Sequence, residues 1–191
     1  KSALKVHPTN SYALVQLGKI FDEIYNAAKE ALNEGNNDKV NALISQLKEY
    51  YPEEEYKIAA LLQGSHSMEL LNDSDRLLAK ADASLEELNK IYENITAILN
   101  TEPDNENAKE AMLKLENKFI DVGNTYIGSN QLQLASNVFQ QGKNYFPNNN
   151  EINSRLIEIR RRIESENTVE VPNVVGLLES EARYRLSSSG L

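Results

Sequence analysis

Four landmarks in the first half of this 191-residue chain return 95 positions later: Pro8, Asn10, Ala13 and Pro52 are answered by Pro103, Asn105, Ala108 and Pro147. Between them the correspondence is one of type. Ile24 pairs with Phe119, Ala28 with Gly123, Val40 with Ala135, Ile44 with Phe139, and Tyr50-Tyr51 with Tyr145-Phe146. Core-forming positions are kept while surface positions differ, which marks an internal repeat. Units of roughly 30 to 50 residues bury their apolar face only against neighbours, so the expected architecture is a stacked array.

The segments between landmarks carry helical periodicity. Ala13, Leu14, Leu17, Ile20, Phe21, Ile24, Ala27, Ala28, Ala31 and Leu32 recur at spacings of three and four and predict a long helix over 11–34. Gly35-Asn36-Asn37 breaks it, and Val40, Leu43, Ile44 and Leu47 predict a shorter helix that ends where Tyr50-Tyr51 meet Pro52. The same plan predicts helices over 106–129, with Met112, Leu115, Phe119, Val122, Tyr126 and Ile127 apolar, and over 132–145, with Ala135, Val138 and Phe139. Pro52 to Pro103 spans 51 residues where the flanking proline intervals span 44, so extra chain sits in the middle. There the pattern predicts helix over 54–71, a break at Asn72-Asp73-Ser74, and further helix to Leu99 interrupted at 81–84, with Ser84 and Glu87 spaced as a capping box. Gly64-Ser65-His66-Ser67 reads as a local helix break, with a functional kink or a ligand contact as the alternative. Ile152, Leu156, Ile157, Ile159 and Ile163 predict a terminal helix whose outer side, with Glu158, Arg161, Arg162 and Glu164, is charged. Ala3, Leu4 and Val6 before His7-Pro8 read as the last turn of a helix, so the array is expected to begin upstream, in a longer polypeptide.

Composition removes several function classes. A net charge of -9 repels phosphate, which argues against nucleic acid and anionic lipid as partners. Arg160-Arg161-Arg162 is the local exception and reads as a solvated helix end, with an anion site as the alternative. No apolar run approaches the roughly 20 residues of a membrane span, so no membrane insertion is expected. Without cysteine, and with His7 and His66 on different units, neither a thiolate nor a histidine metal site is expected. Paired carboxylates such as Glu86-Glu87 and Asp73-Asp75 lack a second catalytic group at a fixed spacing and read as surface and cap residues. Asn72-Asp73-Ser74 and Asn94-Ile95-Thr96 match a glycosylation pattern short enough to arise by chance. No cofactor and no catalytic residue is expected.

In the third unit Phe119, Val122-Gly123, Tyr126, Ala135, Phe139, Gly142 and Pro147 fall on landmarks that resemble a tetratricopeptide repeat. The first unit keeps Ile24, Ala28, Gly35, Val40, Ile44 and Pro52, with Ala31 where the third has Tyr126. The physical content is packing: small residues at Gly123 and Ala135 admit close approach of two helices, and the rings fill the space beside them. The resemblance, taken over 1–166, implies an all-α fold, a right-handed superhelix of antiparallel helical hairpins whose first helices line a concave groove for a peptide or partner protein. The residues placed on that groove are Asp22, Tyr25, Asn26, Lys29 and Asn33 in the first unit, and Asn117, Ile120, Asp121, Asn124 and Gly128 in the third. The alternative for these positions is plain solvation. Tyr50-Tyr51 and Tyr145-Phe146 are expected to fill the hairpin ends, with partner anchoring as the alternative.

Over 167–191 the pattern changes. Thr168 to Gly176 is β-branched with a proline and a glycine, and Leu178, Ala182 and Leu186 share one helical face. Val171-Pro172-Asn173-Val174-Val175-Gly176, Glu181-Ala182, Leu186 and Gly190-Leu191 resemble the opening half of a PASTA domain, a short β-plus-helix fragment. That resemblance implies an extracytoplasmic setting in a bacterial envelope protein, such as a membrane-anchored serine/threonine kinase or penicillin-binding protein, with peptidoglycan as a ligand of a complete PASTA domain. A cytoplasmic location is the alternative. Together the two resemblances imply a non-enzymatic protein-interaction or wall-sensing scaffold, or else a spacer that presents PASTA modules and binds nothing in its groove.

Overall fold

Four X-Pro turns set the architecture. At each, the amide two residues after proline donates to the carbonyl before it: Asn10 to His7 at 3.1 Å, Glu54 to Tyr51 at 3.0 Å, Asn105 to Glu102 at 3.0 Å and Asn149 to Phe146 at 3.1 Å. Proline suits the second place of such a turn because its ring presets φ there. The preceding helix closes on the same turn, as the amides of Tyr51, Glu102 and Phe146 donate to the carbonyls of Leu47, Ile98 and Gly142 at 2.8, 2.7 and 2.7 Å. At three of the four turns asparagine then starts the next helix. The side-chain oxygens of Asn10, Asn105 and Asn149 accept from the amides of Ala13, Ala108 and Ile152 at 2.9, 3.0 and 2.9 Å. A stop signal and a start signal are thus compressed into four residues.

The computed structural model describes residues 7–167 and 171–190. It is all-α, with helices α1 (Ser11–Asn33), α2 (Asn37–Tyr50), α3 (Glu55–Leu78, entered by a 3-10 turn Pro52–Glu54), α4 (Leu85–Thr101), α5 (Glu106–Gly128), α6 (Leu132–Tyr145), α7 (Asn150–Asn167) and α8 (Glu179–Ser188). Inside two hairpins the turn also repeats at the 95-residue offset. Gly35 has φ +70°, with the Asn36 amide on the Ala31 carbonyl at 2.9 Å; Asn130 has φ +56°, with the Gln131 amide on the Tyr126 carbonyl at 2.8 Å. Both are left-handed helix ends, which glycine and asparagine tolerate best.

Three sequence expectations are corrected. No break occurs at Asn72-Asp73-Ser74, because Ser74 Oγ donates along the helix to the Leu70 carbonyl at 2.8 Å and Asp73 bonds groups outside its own turn. Nor do Gly64-Ser65-His66-Ser67 interrupt α3. Ser65 and Ser67 direct their hydroxyls to Asn41 and Glu102, at 3.1 and 2.7 Å, instead of competing with their own backbone. Arg160-Arg161-Arg162 is no helix end, since α7 runs on to Asn167 and Arg160 reaches the Gln140 oxygen at 2.6 Å. The capping box does form: the Ser84 amide donates to Glu87 at 2.9 Å and the Glu87 amide to Ser84 Oγ at 3.2 Å.

The chain divides into two compact units, Lys1–Lys80 with Asn89–Met112, and Ala81–Leu88 with Leu113–Leu191. In the first, α1 packs on α2 and α3, and α2 on α3, around Phe21, Ala28, Ala31, Val40, Ile44, Leu47, Tyr51, Ile58 and Leu61. Tyr51 meets Phe21 edge-on, with centroids 5.3 Å apart, and the Lys57 ammonium lies 4.8 Å from the centre of the Phe21 ring. In the second, α6 packs on α7, and Phe119 takes Tyr145 and Phe146 edge-on at 5.9 and 6.1 Å. Tyr51, Tyr145 and Phe146 therefore pack inward as expected of the hairpin ends, whereas Tyr50 is 48% exposed and does not. Of the last residues, 171–174 have no regular structure and Gly176 turns with φ +83°. The described residues contain no strand; the expected extended run at Thr168, Val169 and Glu170 lies outside them. Helix α8 buries none of its residues.

Gly123 lies so close to the Phe139 ring that a Cβ there would come within 2.3 Å of it. The equivalent positions in the first unit hold Ala28 and Ile44, both buried, so one methyl is gained where a ring is replaced by a smaller aliphatic group. Gly123→Ala is expected to lower stability by about 1 to 3 kcal/mol through overpacking. Adding Phe139→Ile to Gly123→Ala is expected to recover part of that loss, measured as a non-additive shift in urea midpoint.

Candidate interaction surface

Helix α1 carries Asp22, Tyr25, Asn26, Lys29 and Asn33 at spacings of three and four, so they form one stripe. Asp22, Asn26, Lys29 and Asn33 are exposed, as expected of a groove wall. Tyr25 is half-buried, stacked on Phe21 at 5.6 Å, with the Lys29 ammonium 5.9 Å from the ring centre. Its ring is part of the core margin, and only its edge belongs to the stripe. On α5, Asn117, Asp121 and Gly128 are exposed while Ile120 and Asn124 are half-buried. The α1 stripe is a surface of the first unit and the α5 stripe a surface of the second.

Hydrogen bonding separates these residues from the other asparagines. Asn10, Asn36, Asn105 and Asn149 cap helices, Asn94 donates to Asp73, and Asn41 accepts from Ser65. By contrast Asn26, Asn33, Asn117 and Asn124, with the carboxylates Asp22 and Asp121, make no side-chain hydrogen bond or ion pair among the described residues. Each amide keeps a donor and an acceptor free for a ligand. The described residues contain no group of three or more His, Cys, Asp or Glu able to hold a metal, and no helix long and apolar enough to cross a membrane.

Two features escaped sequence reasoning. The first is a cleft of about 560 Å³ lined by Leu17, Ile20, Ile24, Gln46, Tyr50 and Tyr51, of which periodicity places only Leu17, Ile20 and Ile24 on an apolar helix face. The second is Asp73, where a break was expected. Its carboxylate takes the Lys90 ammonium at 2.8 Å, the Arg76 guanidinium, and the buried Asn94 amide at 3.2 Å, tying α3 to α4. Bonds from Lys90 first, then Arg76, pull its pKa down to about 2 against the opposing effect of burial, and Asn94 adds to the lowering. The sixteen residues between Asp73 and Lys90 hide the pair from any local motif.

A carboxyl with a depressed native pKa contributes stability that is complete above its unfolded value near 4 and is lost as pH falls through about 2. Discounted for solvent screening of a partly exposed side chain, that contribution is about 1 kcal/mol. Asp73→Asn is therefore expected to unfold at lower urea than wild type at pH 7, with the gap closing between pH 4 and pH 2.

No protein-family model, no curated protein and no solved structure matches this chain.

Proposed function

We propose that the chain is a non-enzymatic protein-interaction module of helical hairpins whose polar stripe on α1, and separately that on α5, each holds a peptide segment of a partner. The observation that carries this reading is the set of uncommitted amides and carboxylates at Asp22, Asn26, Asn33, Asn117, Asp121 and Asn124. An extended peptide brings unpaired N–H and C=O groups, and asparagine amides answer both. Lys29, held over Tyr25, adds a cation for a peptide carboxylate. The right-handed superhelical arrangement of the hairpins belongs to the same proposal, supported by the 95-residue repeat and its resemblance to tetratricopeptide units.

The setting is proposed as a scaffold or wall-sensing region of a larger bacterial envelope protein, outside the cytoplasm, with peptidoglycan bound by a complete PASTA domain. Support for this comes from the resemblance over 167–191 alone. A spacer reading is favoured by one observation, the absence of any buried side chain in α8, which leaves that segment free to be carried.

The two readings separate by experiment. Peptides selected from a displayed random library on the wild-type chain are expected to bind the Lys29→Ala, Asn124→Ala double variant about tenfold more weakly, since a hydrogen-bonded contact and a charged one are lost. Thermal melting should be unchanged. A spacer enriches no peptide, or binds the double variant equally.

A further inference from the structure

Gly18, Asp22, Asn26, Lys29 and Asn33 of α1 follow one another at spacings of three and four and so lie along one line of the helix. Their counterparts on α5, 95 residues later, are Leu113, Asn117, Asp121, Asn124 and Gly128. There Leu113 is 62% exposed, Asn117, Asp121 and Gly128 are exposed and Asn124 is half-buried. The repeat thus leaves this line open even in the copy that a whole helix, α4, precedes in the chain. Charge separates the two lines. That of α5 carries Asp121 alone, whereas that of α1 carries two opposite charges, Asp22 and Lys29, seven residues apart. Neither stands in the first or last turn of α1, so the helix dipole accounts for neither. Among the described residues Asp22 has no hydrogen bond or ion pair, and the exposed Lys19 and Glu30 beside the line pair with neither charge. Lys29 is held in place, its ammonium 5.9 Å from the centre of the Tyr25 ring, which stacks on the core ring of Phe21 at 5.6 Å. One turn ahead of Asp22, an added Cβ at Gly18 would meet nothing within 4 Å. Glycine inside an exposed helix is unfavourable relative to alanine, and no packing requires it here, so the space beside Asp22 is open to a ligand.

We propose that the α1 line is selective for charge. It takes an extended segment in the polyproline II conformation that sets a basic side chain on Asp22 and an acidic one on Lys29, three residues apart. This deepens, and rests on, the peptide-binding reading above. Seven helical residues advance about 10.5 Å and return almost to the same side. Polyproline II has three residues per turn, so its side chains i and i+3 share a side at a separation of about 9 Å. A β-strand sends i and i+3 to opposite faces and does not fit the pair. Asn26 and Asn33 are also seven apart, so their amides meet backbone groups one ligand turn apart, and polyproline II spends none of those groups on itself. The stem of the basic side chain passes over Gly18. Charge complementarity of this kind discriminates among peptides more than it adds affinity.

The test uses the whole chain and labelled peptides in a proline–alanine host, which favours polyproline II, followed by fluorescence anisotropy at low salt. Two positions three residues apart carry arginine and glutamate in either order, two glutamates, or two glutamines. An arginine–glutamate peptide is expected to bind about three- to tenfold more tightly than the other two, with the advantage shrinking as salt is raised. Asp22→Lys is expected to reverse the ranking in favour of two glutamates. Glu49→Lys, the same change of net charge at an exposed position of α2, is expected to leave it as it was. Gly18→Leu is expected to raise the melting temperature and to weaken binding about threefold. Charge selectivity is overturned if a spacing of two or four residues serves equally well, or if Asp22→Lys leaves the ranking unchanged. It is equally overturned if Glu49→Lys moves the ranking as far, or if Gly18→Leu binds as wild type does. Should the glutamine peptide bind as tightly as the charged one and lose affinity in Asn26→Ala with Asn33→Ala, charge selectivity falls and the peptide-stripe reading stands. Should no peptide bind, both fall.

Discussion

The close approach of two helices at a residue without a large side chain is the constraint on which each hairpin depends. At Gly123 the Phe139 ring occupies the volume a Cβ would need, so α5 and α6 are locked at a separation only glycine permits. The first unit solves the same problem with Ala28 and Ile44, both buried. Interiors are packed to crystal-like density, so a gain of volume on one helix demands a loss on the other. The rings that follow, Tyr51 on Phe21 and Tyr145 and Phe146 on Phe119, close the open end of each hairpin. Gly142 lies between Phe119 and Ile152, where an added Cβ would come within 3.3 Å of each, so α7 also approaches closely, though less so than α6 does at Gly123.

Given that packing, the turns decide where each helix may begin. The X-Pro turn ends one helix with its own backbone bond and delivers an asparagine to the first position of the next. Where Glu54 replaces asparagine the side-chain cap is missing and a 3-10 turn stands in its place. The middle of the chain, with its 24-residue α3 and a six-residue connection, departs from the hairpin plan at that point. There polar groups take over part of the work of packing. Ser65, Ser67, Ser74 and Asn94 are buried and bonded, and Glu102 gathers Ser67 and Asn105 on its two oxygens at 2.7 Å each.

Much of this was legible in the residues. Apolar spacing located α1, α2, α5 and α6 to within a residue or so, because amphipathic helices facing a single core repeat a simple period. Ser84 and Glu87 announced their reciprocal cap. What failed was α3, where serine, asparagine and glycine normally signal a break. There the signal was outweighed by bonds to Asn41, Glu102 and Lys90, residues remote in sequence that no local pattern reveals. Of the polar stripes, Asp22, Asn26, Lys29, Asn33, Asn117, Asp121 and Gly128 are exposed, whereas Tyr25, Ile120 and Asn124 are half-buried.

Polar residues on the α1 and α5 stripes keep donors and acceptors free, while the caps and the buried network use other asparagines. The most direct test of the account is nuclear magnetic resonance of the intact chain at Gly123. Set close against that ring, its α-protons should be displaced strongly from random-coil shifts by the ring current and show cross-peaks to the Phe139 ring protons. Random-coil shifts with no cross-peak to that ring would contradict the packing from which the rest is argued.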